Sequence, residues 1–209
     1  EDGEDAGVAL AADMIEFWML AVEGRSEDAR DTLAGPSPSF RAHTGSAAAL
    51  AAYFWMLADD RQHCAKHFER VAEDEFRTIR PGVSWLWHIG TCADVCAYLE
   101  DRERGEVLYS LIAPYRALNV TSSFYCYRGS AALPLARMAL LLDPRKEAAE
   151  LFEQALEFNT RIGSVPSIAW TQLAYARMLA EGGQAQQRRA HQLFQEADGG
   201  TRPLGFQLD

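Results

Sequence analysis

His63 and His67 stand four residues apart with Cys64 beside the first. On a helix this spacing puts two imidazoles on one face, where they could supply two ligands to zinc. No acidic residue follows His63 and the sequence places no third ligand, so the helical metalloprotease pattern fails and solvated histidines are the better reading. Cys92 and Cys96 repeat the four-residue spacing and, with Cys64, could form a soft-metal cluster. Buried reduced thiols are the plainer account, because free cysteine is among the most buried residue types. No nucleophile elbow announces covalent catalysis. The chain therefore reads as a non-enzyme with no catalytic residues, no metal and no cofactor; the alternative is a metal-dependent helical enzyme using His63 and His67.

Aromatic side chains are the stronger signal. Trp55, Trp85, Trp87, Tyr125, Tyr127, Trp170 and Tyr175 fall mainly on the first helices of the hairpins described below or at their entrances. Many such residues belong to the core, since large aromatics bury much area. The run Phe124-Tyr125-Cys126-Tyr127-Arg128 differs, because it follows a polar loop from Asn119 to Ser123 and joins three aromatics to a cation. A rim of that kind suits a peptide or small ligand, with Arg128 pairing an acidic group. Trp87, Tyr125, Tyr127, Arg128 and Trp170 are the candidate ligand- or partner-binding residues.

Composition narrows the partners. The net charge is −10 and the pI about 5.0, with ten acids and only Arg25 and Arg30 among residues 1–31. Without clustered Lys and Arg to neutralise phosphates, the chain has no electrostatic footprint for direct nucleic-acid contact. The longest apolar stretch, Ala47 to Ala58, falls well short of the roughly 20 residues that cross a bilayer. Neither a signal peptide nor a disulfide-dense pattern is present, so a reducing cytoplasm is expected. The acidic start without an initiator Met is read as the edge of a piece cut from a longer polypeptide.

The elements that must position these residues follow from a repeat. A small residue, an aromatic four later and an aliphatic residue or alanine three after that occur at Cys64/Phe68/Val71, Gly105/Tyr109/Ile112, Ala148/Phe152/Ala155 and Ala190/Phe194/Ala197. The copies step by 41, 43 and 42 residues, the near-constant period of stacked helical hairpins. Pro and Gly separate long apolar-periodic runs, and almost nothing alternates with period two. The expected fold is all-α: a right-handed superhelical array of about five antiparallel helix hairpins in one domain over 1–209. The first helix is expected at 5–22, with Ser26 capping a short second one. Later pairs are expected near 43–58 and 61–77, 83–99 and 103–117, 129–142 and 144–161, and 166–180 and 186–197. Pro114 and Pro134 should each kink or end a helix, and Gly199-Gly200 should stop the array.

Trp85, the segment Leu108 to Tyr115, the run Ala148 to Leu156 and the run Ala174 to Leu179 together resemble the tetratricopeptide-like region of large bacterial regulators. These include LuxR-type transcriptional activators and ATPase-linked nucleotide cyclases. The likeness is clearest over 84–197. The period near 42 exceeds the tetratricopeptide 34, and the chain has neither a Gly-x-x-x-x-Gly-Lys-Ser/Thr phosphate loop nor a helix-turn-helix. The resemblance implies a non-catalytic sensor or protein-interaction scaffold in signal transduction. It would bind a partner protein or small inducer on its concave face and relay that state to an ATPase or output module. A module for self-association is the other non-enzymatic alternative.

Overall fold

A computed structural model of the chain describes residues 45–121, 127–143 and 145–204, together with Glu16, Met19, Leu20, Arg25, Asp28 and Asp31. Most of the expected first hairpin and of the acidic segment, and Tyr125, lie outside the described residues. Eight α-helices and one two-stranded sheet make up the described part. They are α1 (Gly45–Leu57), α2 (Arg61–Ala72), α3 (Trp85–Leu99), α4 (Arg102–Ile112), β1 (Asn119–Thr121), β2 (Tyr127–Ser130), α5 (Ala132–Leu141), α6 (Arg145–Ile162), α7 (Val165–Ala180) and α8 (Gln184–Thr201). The class is all-α, as expected.

Each odd-numbered helix packs on the even-numbered one that follows it, and α1 packs on α3 and α3 on α5. The two kinds of helix differ in composition for that reason. The first helices, such as α1 with Ala48 to Phe54 buried in succession, are apolar nearly all round because neighbours cover them on several sides. The second helices are one-sided: α2 buries only Cys64, Phe68, Val71 and Ala72. Local chemistry sets the boundaries. Asp60 caps α2 by accepting from the His63 N–H, and Asp101 caps α4 by accepting from Arg104. Glu100 ends α3 in the left-handed region.

The repeated triplets lie in the core. Cys64, Phe68, Val71, Ile112, Ala148, Phe152, Ala155 and Ala197 are buried to within 1 %, whereas Phe194 on α8 is 43 % exposed. The small residue serves the next hairpin as well as its own. A Cβ on Gly105 would lie 2.9 Å from Leu141 of α5 and 3.8 Å from Cys96 of α3.

A second repeated contact was not expected. Arg61, the first residue of α2, donates to the carbonyls of Tyr98 and Leu99 at the end of α3 (2.7 and 2.8 Å). Arg102 of α4 does the same to Leu141 and Leu142 at the end of α5 (2.7 and 3.1 Å), and Arg145 of α6 reaches Met178 O and Glu181 at the end of α7. Each guanidinium satisfies orphan carbonyls at the negative end of the following first helix. The arginines are 41 and 43 residues apart, in step with the triplets, so neighbouring hairpins are pinned by one recurring clamp.

Several boundaries differ from the expectation. Pro114 ends α4, and the chain continues as a single 3₁₀ turn over Ala113–Tyr115. Pro134 is the third residue of α5 and leaves it unbroken, because a first-turn N–H has no intrahelical partner to lose. Helix α8 runs through Gly199 and Gly200 to Thr201. The largest departure is the β1–β2 hairpin where a loop and a helix start were expected. Its strands pair antiparallel with a bulge after Val120, and strands so short and polar carry almost no periodic signal.

Candidate functional site

The β-hairpin carries the sequence-selected pair Tyr127 and Arg128 into the helical array. Arg128 is the extra residue of the bulge, between Tyr127 (opposite Thr121) and Gly129 (opposite Val120); a bulge re-aims the side chain it carries, and here the two are sent to different neighbours. Tyr127 donates to Asn159 Oδ1 at 3.3 Å. Asn159, fully buried at the end of α6, also accepts from the Ser130 N–H (3.0 Å) and donates to Thr171 Oγ1 (3.1 Å) and Ser167 O (3.3 Å). Between them Gly129 adopts φ +99°, with Asn159 Oδ1 2.9 Å from where a Cβ would stand. This polar knot ties β2 to α6 and α7.

Arg128 turns to α3 instead. Its guanidinium donates to Asp94 and to Thr91 Oγ1, and it lies 4.6 Å from the centroid of Tyr53 and 5.8 Å from that of Trp87. Asp94 accepts from Arg137 of α5 through its other oxygen. The side chains of Asp94, Arg128 and Arg137 are 6, 11 and 28 % exposed. Burying this much charge is costly unless every partner is in place, and the aromatic faces add cation–π attraction to the ion pairs. Tyr53 is buried, which pushes its hydroxyl pKa up against the opposing pull of Arg128. Among the described residues the cluster holds two cations and one anion.

Two further groups complete the neighbourhood. Trp87 is 3 % exposed and its Nε1 is buried without a partner among the described residues. His88, ring to ring with Trp87 at 5.1 Å, has a buried Nδ1 with no partner among the described residues. Its pKa is held down to about 4, first by burial and then by the Arg128 charge, so its imidazole is neutral at physiological pH.

Tyr53, Asp94 and Arg137 are spaced by 41 and 43 residues, the steps of the triplets and of the arginine clamps. They are one position of the repeat on three successive first helices, converging on one another with Arg128 inserted from β2. Of the sequence-selected residues the structure thus brings together Trp87 and Arg128. Tyr127 lies on the Asn159 side, Tyr125 is outside the described residues, and Trp170 is half-buried on α7, outside the four elements that build the cluster. Tyr53, Thr91, Asp94, Arg137 and His88 were missed. The available signal was Asp94 and Arg137, lone charges inside the apolar helices α3 and α5 and one repeat apart.

The cysteine and histidine candidates go elsewhere. Cys64, Cys92 and Cys96 are free and buried; burial pushes the Cys64 and Cys96 thiols up to about 12 and Cys92 higher still, which keeps them protonated and unreactive. His63 stacks on Trp55 at 4.5 Å and contacts Asp60 at 2.9 Å. Among the described residues no three His, Cys, Asp or Glu side chains gather as a metal site, and no helix is long and apolar enough to cross a membrane. Neither a protein-family model, nor a curated protein, nor a solved structure matches this chain.

Proposed function

We propose that the chain is a non-catalytic binding region, a tetratricopeptide-like superhelical array of antiparallel hairpins, that receives an acidic group of a partner protein or small inducer. The observation that carries this reading is the convergence of one repeat position, Tyr53, Asp94 and Arg137, with Arg128 and Trp87 into a cluster holding two guanidiniums and one carboxylate. Residues at one repeat position form a row along the inner face of a superhelix, the face such arrays use for recognition. With Arg128 added to this row, the described residues of the cluster carry two guanidiniums to one carboxylate, within a chain of net charge −10. Arg137 is 28 % exposed and has Asp94 as its only partner among the described residues, which leaves further N–H groups for an incoming carboxylate.

The setting is a cytoplasmic bacterial regulator of signalling or transcription, with an ATPase or output module as the recipient of the signal. A ligand that prefers one arrangement of α1, α3 and α5 shifts the array toward it by no more than its differential affinity. The test is a thermal-shift and calorimetric screen against mono- and dicarboxylates and a glutamate-rich peptide. A saturable rise in stability is expected for at least one of them, lost in Arg137→Gln while the circular dichroism stays native. Ligand binding that Arg137→Gln leaves unaltered removes this cluster as the site, and no shift with any acidic ligand refutes the reading.

A further inference from the structure

A trough of about 990 Å³ lies between α6, α7 and α8, away from the Arg128 cluster. Its lining on α6 runs from Ala149 to Arg161, which at 1.5 Å per residue is about 18 Å, or three helical turns. Leu156, Ile168 and Tyr175 supply an apolar floor. Glu150, Glu153 and Glu157, spaced three and four apart, form a line of carboxylates along the α6 wall. On the α8 wall Glu196 is engaged by Gln172 (3.0 Å), Gln192 (2.7 Å) and Arg189 (3.9 Å). Glu153 holds the Tyr175 hydroxyl, whose pKa burial and that carboxylate raise to about 12. Four glutamates line the trough against two arginines.

The repeat does not demand this acidic line. The equivalent positions are Val107 and Ser110 of α4 with Pro114 just beyond it, Gln192, Gln195 and Gly199 of α8, and Lys66 and Glu69 of α2 with Glu73 just beyond it. Three aligned carboxylates above an apolar floor are therefore peculiar to α6. A flat solvated helix face would offer charge without concavity. Here an elongated trough and a line of three carboxylates coincide, with Arg161 at one end of the wall, and the shape suits a helix lying along α6 with its apolar side down.

We infer that the α6–α7–α8 trough is a docking surface for a basic amphipathic helix of a partner protein, with Lys or Arg at three- and four-residue spacing facing Glu150, Glu153 and Glu157. The chain then has two surfaces of opposite sign, and this one stands independently of the carboxylate site.

The probe is a fluorescein-labelled, amidated helix of about eighteen residues made of Ala, Leu and Lys, with lysines on one stripe and leucines on the adjacent one. Its control carries Glu in place of each Lys. Fluorescence anisotropy with the full chain should show saturable binding of the lysine peptide and none of the control. Affinity should fall between about 50 and about 500 mM salt as exposed charges are screened. Glu150→Gln with Glu153→Gln and Glu157→Gln keeps side-chain shape and the acceptor for Tyr175, and should weaken binding by about tenfold, the sum of three exposed ion pairs. Arg137→Gln should bind the probe as the wild type does, which separates this surface from the other. Equal binding of the acidic control, undiminished binding by the triple variant, or no binding up to about 1 mM peptide overturns the proposal. So does a peptide-insensitive dimer that sedimentation shows to be broken by the triple variant, since a second copy would then occupy the trough.

Discussion

Replacing Asp94 by alanine removes the carboxylate that two guanidiniums share, one 11 % and the other 28 % exposed. Two charge-assisted hydrogen bonds are lost, and Arg128 stays buried against Thr91, Tyr53 and Trp87 without the Asp94 carboxylate. Breaking a buried pair on one side costs about 3–5 kcal/mol because the surviving charge stays desolvated. That is a large part of the roughly 5–15 kcal/mol that holds a domain of this kind together. Arg128→Met should cost less, about 2 kcal/mol, since Asp94 keeps Arg137 and no cation remains buried. The Asp94→Ala, Arg128→Met double variant should be more stable than the sum of the two losses implies, by at least about 1 kcal/mol. Urea unfolding followed by tryptophan fluorescence and far-ultraviolet circular dichroism measures all four proteins. A loss below about 1 kcal/mol in Asp94→Ala, or strict additivity in the double variant, would show that the cluster is solvated and that the burial argument is wrong.

Two smaller predictions test the frame around it. Arg102→Ala withdraws two donors from the carbonyls that end α5 and should lower stability by about 1 kcal/mol; an unchanged urea midpoint would show that water replaces the clamp at no cost. His88 titrates near 4 in the folded chain and near 6.5 when unfolded. Between those values the unfolded state takes up a proton that the folded state refuses. Its contribution is therefore complete above about pH 6.5 and is lost as pH falls toward 4, by an amount on the order of 3 kcal/mol. His88→Gln cannot titrate, so the wild type should lose more stability than the variant between pH 7 and about pH 4.5. Parallel losses in the two proteins would refute the assignment.

The all-α class and most helix positions were legible because each second helix buries one face, and its small and aromatic residues recur every 41 to 43 positions. The same register held more than was read from it. Arg61, Arg102 and Arg145 share it, as do Tyr53, Asp94 and Arg137; both rows are composed of types that individually look like surface or core. A charge inside an apolar helix must find a partner when buried, so Asp94 and Arg137 could have been paired by period alone.

What the sequence could not carry is the role of residues 119–130. A three-residue and a four-residue strand with a bulge leave no hydrophobic alternation to detect, and the neighbouring identities of Tyr127 and Arg128 suggested one shared surface. The bulge at Arg128 separates them, sending one to Asn159 and the other to Asp94. Sequence by itself determined the helices, their period and the small residues that let hairpins approach, because those depend on local propensity and repeated packing. Tertiary structure alone decided which charges meet, which aromatic faces cover Arg128 and that the acidic stripe of α6 borders a trough, because each depends on the positions of helices one repeat or more apart.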